Sequence, residues 1–573
     1  MLLWSLRHHY LGLGGDARLY AVQALARIHP NLLRDLFLGN ASQDSYTLFS
    51  SLYAPCIGLI GLGNAALALT LAFKVLFFAA SWILARRLVD GPCAFLTVAL
   101  LILIPGTYGA FGVFQYAEDC LTARSAAEAL VITAIACSIC GGRLSGLLIV
   151  CGAMLLHPLI ALPGLLWLVC LWLPFRVSAL GAAGGILLVS AITAIACWGP
   201  STAHGLVVID AAWLEIVRER SQFLLLQFWS AKDWSLNARP FLSLSLSVLA
   251  VDDARVRKVG ATAILVGATG LTLALIASLV GPVSILLQGQ AWRWVWVTSF
   301  AGVLLLVPTL RALWRTERCG SLCVLLVICG WTSPAIGGTI CLAFALILWL
   351  VRHFINDRVA KYLHDMAALL QFLPISAIGV CKFWIWGQRR AIVLSLTIGG
   401  LVAACLYCLP RALHDRAGLG GGAEFDAYAD WRRAIPPNSN VLVAPVRNSA
   451  AFAWFTLERP SYLTVDQSSG VVFSRATALE VKRRSQVLLP LMDPDWRLLS
   501  NSSQVHSGGS KNAASPRPLN RERLMGVCSD PQLNFVVAAE NVGFEPLRHA
   551  RPGEQQDWYL YDCRVVNDAT PSA

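Results

Sequence analysis

From about residue 50 to residue 410 the chain alternates apolar runs with short polar or charged connections. The runs fall at 62–84, 92–111, 126–140, 144–156, 159–174, 178–198, 236–251, 260–280, 293–310, 320–333, 335–350, 366–386 and 391–409. Many approach the ~20 residues that carry a helix across a ~30 Å hydrocarbon core. The pattern therefore predicts an all-α polytopic membrane body of about 11–13 transmembrane helices. The pairs His157-Pro158 and Ser333-Pro334 predict tight turns at the membrane surface or breaks within a helix, because proline removes a helix hydrogen bond.

The flanks have a different texture. Residues 1–50 mix apolar positions with Asp16, Arg18, Arg27, Arg34 and Asp44. They read as an external loop with one amphipathic helix at Ala17–Ile28, ended by Pro30. After the body (51–410), residues 411–573 turn polar. Short β-like runs at Asn440–Ala444, Ser461–Val465, Phe535–Ala539 and Trp558–Val566 alternate with helical stretches at Ala423–Ala434 and Ala476–Leu489. That alternation predicts a C-terminal soluble α/β domain. The Ser/Gly/Pro-rich stretch 501–518 predicts a flexible loop. No short-period internal repeat is seen.

Composition agrees with the pattern. The 573 residues are 57% hydrophobic and 14% charged, against the ~25% charged of an ordinary soluble chain. Mean hydropathy is +0.62. The net charge of +12 raises nucleic acid as a partner, but no Lys/Arg block or nucleic-acid motif accompanies it. It reads instead as the positive-inside bias of a membrane protein, with affinity for anionic headgroups or phosphates. Counting passes puts Arg86-Arg87, Arg143, Arg176, Arg255–Lys258 and Arg311–Arg318 on one side, taken as cytoplasmic. The connections at 7–50, 112–125, 199–235 and 281–292 then lie outside. The count breaks near the end of the body, where Arg352–Lys361 and Gln388–Arg390 are both basic yet only one pass apart. Of 17 cysteines, fifteen lie at or before Cys408, mostly in apolar runs, where a thiol behaves as a small hydrophobe. Cys137 and Cys140 have the spacing of a metal pair but close a membrane helix. Cys528 and Cys563, alone in the polar tail, are expected to form one disulfide if the compartment is oxidising.

A few polar residues have the chemistry to form a site. Asp16 follows two glycines at the start of a helix beside the membrane. Two readings stay open: a helix N-cap favoured by the dipole, or a base or acceptor-binding carboxylate facing a lipid-bounded cleft. Glu118 and Asp119 are adjacent acids in the next external loop, with Arg124 beyond them. They read either as capping and local ion pairing or as acids of the same site, with Glu128 spaced to pair with Arg124 on the helix face. Residues 219–239 mix Arg220, Lys232, Asp233 and Arg239 with Phe228, Trp229 and Trp234, the make-up of an interfacial helix. Arg293 stands between Trp292 and Trp294, as an interfacial arginine in an aromatic belt or as a forked donor to a lipid-linked phosphate. Lys74, inside an apolar run, is expected to face protein or water. His157 is expected to be a satisfied buried histidine.

The acidic first external loop (GGDARLY, with Asp16), the acidic second one (YAEDCLTAR, with Glu118 and Asp119), the many passes and the C-terminal domain resemble the GT-C superfamily of bacterial-type polytopic membrane glycosyltransferases. These enzymes use polyprenyl-phosphate-linked sugars and include protein mannosyltransferases and bacterial lipid A glycosyltransferases. The resemblance implies an inverting sugar transfer at the extracytoplasmic face of a bacterial inner membrane. It casts Asp16 as catalytic base, with Glu118 and Asp119 as weaker catalytic candidates. Substrate contacts would come from Arg18, Tyr20, Arg124, Lys232, Arg239 and Arg293. The partners implied are a polyprenyl-phosphate-linked sugar, the bilayer, and a glycan, lipid or protein acceptor. Some relatives use a divalent metal ion, for which this sequence offers no evident ligand set. Members carry a membrane helix before the acidic loop, whereas fifteen residues precede Asp16 here, so an apolar stretch of about 20 residues is expected upstream of Met1. A flippase of a lipid-linked substrate and a non-catalytic membrane scaffold are the alternatives.

Overall fold

The computed structural model describes residues 2–39, 43–198, 208–316, 319–354, 423–444, 449–491, 517–551 and 557–569. The apolar runs 366–386 and 391–409, the basic stretches after Phe354 and nearly all of the 501–518 loop lie outside the described residues.

Four helices are long and apolar enough to cross a membrane: Leu62–Leu88, Phe175–Cys197, Ala254–Leu279 and Ala335–Phe354. Ser284–Leu304 and Leu306–Trp314 make a fifth if taken as one span bent by 43°. Phe49–Ile60, Gly91–Leu103, Arg143–Leu156, Pro158–Trp172 and Gly320–Thr332 are apolar but shorter, at 10–17 residues. At 1.5 Å per residue none of these reaches ~30 Å alone. Both X-Pro pairs separate helices. Leu156 ends one helix and Pro158 opens the next, with His157 between them capping the amide of Ile160 through Nδ1 at 3.3 Å. Thr332 and Ala335 bound the other break. The Arg86-Arg87 and Arg311 ends meet, since Arg311 pairs with Asp90.

Three sequence expectations need correction. Ala17–Ile28 is a helix, but Leu19–Ala26 are buried without interruption. It packs against Phe49–Ile60, and its apolar cluster takes in Ala450, Trp454 and Phe455 of the C-terminal region. A helix covered this completely is not amphipathic. Trp292, Trp294 and Trp296 are at most 7% exposed, so they are core rather than an aromatic belt at a lipid surface. Residues 219–239 do not form one interfacial helix. Ala211–Arg220 ends at Ser221, two 3₁₀ turns follow, and Ala231–Ala250 starts behind a Ser230/Asp233 capping box.

The C-terminal region holds a four-stranded sheet of β3 (Val441–Ala444), β4 (Phe535–Ala538), β5 (Arg548–Ala550) and β6 (Trp558–Asp562), numbered after a short hairpin of β1 (Thr107–Tyr108) and β2 (Phe114–Gln115) in the membrane body. The sheet order is β3-β4-β6-β5, with β3 and β4 parallel and the other pairs antiparallel. Ser461 makes only an isolated bridge to Val441, and residues 563–568 turn helical, so two of the expected strands shrink. Cys528 and Cys563 form a disulfide with Cα atoms 5.0 Å apart and a sequence separation of 35. Closing a loop of that size contributes about 3–4 kcal/mol in the chain-entropy account.

The C-terminal region is stitched to the body through residues 450–487. Asp35, fully buried, accepts from Trp454 Nε1 (2.8 Å), the Ser461 amide (2.9 Å) and Gln467 Nε2 (3.0 Å). Trp213 Nε1 donates to the carbonyl of Val471 (2.7 Å), Arg220 to Ser468 (2.7 Å) and Gln288 to the carbonyl of Val472 (3.1 Å). Described parts of the four connections assigned outside by charge counting thus meet each other or the C-terminal region on one side of the bundle.

Candidate functional site

The acidic loops build two adjoining ion clusters. In the first, Asp16 does not cap its helix, for its side chain makes no cap bond. Gly15, at φ +53°, turns the chain so that the Asp16 carboxylate meets Arg124 Nη1 at 2.7 Å. Arg124 also grips Glu118 Oε1 through Nε (3.0 Å) and Nη2 (2.7 Å), while Thr122 Oγ1 donates to Oε2 at 2.5 Å. Exposure separates the two acids: the Asp16 side chain is 38% exposed and that of Glu118 is 7%. Glu128 does not pair with Arg124. Its Oε2 accepts the Ala117 amide at 2.7 Å, because Arg124 is already held by two carboxylates.

The second cluster centres on Asp119, which accepts from Trp4 Nε1 (2.9 Å), His8 Nδ1 (2.9 Å) and Lys74 Nζ (3.2 Å). Lys74 also donates to the Ala117 carbonyl and is buried, so it faces protein. His8 Nε2 lies 2.8 Å from the Ile102 carbonyl. Both ring nitrogens face acceptors, an arrangement that favours the protonated ring. The bond to Asp119 raises the His8 pKa above its ordinary value against the opposing effect of burial. Burial works to raise the Asp119 carboxyl, but His8 and Lys74 outweigh it and hold it below the usual carboxylate range.

These shifts give the N-terminal anchor a defined pH window. The contribution of His8 is complete below its unfolded value of about 6.5 and is lost as pH rises through its higher folded value. That of Asp119 is complete above about 3.9 and is lost as pH falls through its lower folded value. We expect trypsin cleavage after the exposed Arg7, normalised for protease activity, to accelerate as pH rises above 6.5. His8→Gln should cleave at one pH-independent rate. A wild-type rate that is flat with pH would remove the imidazolium from the anchor.

Arg293 reaches the first cluster through an aromatic ring. Its guanidinium carbon sits 4.2 Å from the centroid of Phe114, and that of Arg124 lies 4.9 Å from the same centroid. Two cations thus share one ring, and each cation–π contact works against the repulsion between the two guanidiniums. Among the described residues no carboxylate pairs with Arg293, and its Nε is buried without a partner. Tyr20 is buried beneath Arg124, with the guanidinium carbon 6.0 Å from its ring. Arg18 instead donates to the Leu13 carbonyl (3.0 Å) and to Asp466 (3.4 Å).

Lys232 and Arg239 do not join this cluster. They line a cavity of about 640 Å³ with Thr107, Tyr116, Asp233, Ser299 and Trp331. Arg239 donates to the Ser333 carbonyl at 2.9 Å, and its Nε is buried without a partner. Asp233 is committed to the Ser230 cap and to the Phe111 amide (2.9 Å). That leaves the cavity with two cations and no uncommitted carboxylate among the lining residues. The loop from Pro105 to Thr122 is common to both places. Glu118 belongs to the ion cluster, and Thr107, Phe111, Gly112 and Tyr116 line the cavity. Its crossing point is Gly109, at φ +75°, where a Cβ would meet Trp292 at 2.2 Å. The Asn237 side chain takes both backbone groups of Gly109, at 2.8 and 2.7 Å.

Phe114, Asn237 and Asp466 carry no motif and were not singled out in the sequence. Only an odd polar residue in an apolar helix hinted at Asn237. Among the described residues no group of three or more His, Cys, Asp or Glu gathers as a metal site. The chain matches no protein-family model, no curated protein and no solved structure.

Proposed function

We propose that the chain is a GT-C-like membrane glycosyltransferase that moves a sugar from a polyprenyl-phosphate donor to an acceptor hydroxyl outside the cytoplasm of a bacterial cell. The observation that carries the reading is the exposed Asp16 carboxylate, held by Arg124 next to Arg293, a buried cation with no carboxylate in an ion pair with it among the described residues. An exposed base beside an uncompensated cation suits a reaction that takes a proton from one oxygen and leaves negative charge on another. Asp16 accepts the proton of the acceptor hydroxyl. The new oxygen–carbon bond forms at the anomeric carbon from the face opposite the phosphate. The carbon–oxygen bond to phosphate breaks, and its electron pair leaves with the polyprenyl phosphate. Arg293 is the cation available to that phosphate, through its forked donors, while Lys232 and Arg239 stand in the neighbouring cavity. The Cys528–Cys563 disulfide favours an oxidising compartment for the C-terminal domain, which is where a lipid-linked donor replaces nucleotide sugars.

The 43° break between Leu304 and Leu306 supports a second reading, since interrupted spans are common in transporters. One assay separates the two. Purified chain in vesicles receives a panel of radiolabelled polyprenyl-phosphate sugars, with crude envelope lipids and glycans as acceptors. Sugar transfer with release of polyprenyl phosphate is expected. Arg293→Ala should raise the donor KM about 10–100-fold, the loss of hydrogen bonds to a charged group. Donor that crosses the bilayer uncleaved would favour the transporter, and no cleavage of any donor would remove the enzyme reading.

A further inference from the structure

The 450–487 run does more than hold the C-terminal region to the body. It opens its 3₁₀ helix, Asp466–Val472, with a carboxylate that points back toward the acidic first loop. Asp466 Oδ2 lies 3.4 Å from Arg18 Nη1. Arg18 sits in the first turn of the helix Ala17–Ile28, two residues after Asp16. Its Nε donates to the carbonyl of Leu13, inside the turn whose other bonds run from Gly14 to Leu11, Ala17 to Gly14 and Arg18 to Gly15. The guanidinium therefore clamps the turn that presents Asp16. Asp466 itself cannot wander, because Ser468, Val471 and Val472 are tied to Arg220, Trp213 and Gln288.

We propose that Asp466 is a positioning residue for Asp16, through which the C-terminal domain completes the site: Asp466 fixes Arg18, and Arg18 fixes the Leu13–Asp16 turn. The proposal rests on the glycosyltransferase reading for its activity arm only. Burial pushes the Asp466 carboxyl above the usual carboxylate range, Arg18 opposes the rise, and the charge of Asp16 adds to it. The two carboxylates are therefore electrostatic neighbours brought together from opposite ends of the chain.

The test uses the full chain in detergent or vesicles. Asp466→Asn removes the charge and keeps the shape, Arg18→Gln breaks the same contact from the other side, and Asp466→Glu keeps the charge. Hydrogen exchange over residues 11–18 should rise about tenfold in the first two variants, while residues 466–473 exchange as in wild type. Turnover in the transfer assay should fall about tenfold with the donor KM unchanged, the signature of a base less well placed. Asp466→Glu should recover part of both changes. The Asp466→Asn/Arg18→Gln double variant should be no worse than either single one, because both break one link. Unchanged exchange at 11–18 in both single variants overturns the proposal, as do losses that multiply in the double variant. A wild-type chain with no transfer at all would defeat the glycosyltransferase reading, and the exchange comparison would then decide the positioning claim alone.

Discussion

Asp16→Asn is expected to lower sugar transfer by about 10²–10⁴-fold, the usual contribution of a positioned general base, with the protein still folded. The substitution keeps the volume and a carbonyl oxygen for Arg124, and it removes only the ability to take a proton. Geometry picks this acid over its neighbours. Asp16 has a side chain 38% exposed and, among the described residues, one ion partner. Glu118 is enclosed by Arg124 and Thr122, and Asp119 by Trp4, His8 and Lys74. An acid that must meet an acceptor hydroxyl needs an open oxygen, and Asp16 offers one. The measurement is the initial rate of transfer at saturating donor, beside a thermal unfolding midpoint for each variant. A shared loss of rate and folded protein would point to structure instead of chemistry. Wild-type transfer by Asp16→Asn would remove this residue from the mechanism.

The local features of this chain were legible because short-range physics sets them. The helix Ala17–Ile28 was read to the residue from its glycine turn and Pro30, and both X-Pro breaks fell where proline cannot continue a helix. Lys74 had to find polar partners in an apolar run, and it did. What escaped was everything decided by docking. The same Ala17–Ile28 helix looked amphipathic because nothing in its sequence announces that Trp454 and Phe455, more than 400 positions away, will join its apolar cluster. The Trp292-Arg293-Trp294 triplet has the composition of a membrane-surface belt, yet Trp292 packs on Tyr108, Phe114, Phe223 and Trp229 and Trp294 is buried. Cations seemed interchangeable along the sequence. The structure divides them by partner: Arg124 is neutralised by two acids, Arg18 is used by Asp466, and Arg293, Lys232 and Arg239 are in no ion pair among the described residues. Periodicity carries no information about that division, because it depends on which loops meet.

Arg124→Ala should cost about 3–5 kcal/mol of stability, more than any exposed ion pair in the chain, because it strands a buried charge. Arg124 is 5% exposed, and its fork is the main counter-charge of Glu118, itself 7% exposed at the side chain. With the fork gone, Glu118 keeps the Thr122 hydroxyl and little else. The same loss frees Asp16 from its 2.7 Å partner, so a rate defect is expected in addition to the folding defect. The two effects separate in a paired variant. Arg124→Leu with Glu118→Leu replaces a buried ion pair by apolar groups, an exchange that is often neutral for stability. It should restore most of the unfolding free energy, read by tryptophan fluorescence in a denaturant titration. Transfer should nevertheless stay about 10²-fold below wild type, because Asp16 remains without the donor that aims it. Recovery of both stability and rate would mean that Arg124 acts only as ballast for Glu118. A single Arg124→Ala variant as stable as wild type would show that the fork contributes nothing to the fold, and the acidic loops would then need another account of what joins them.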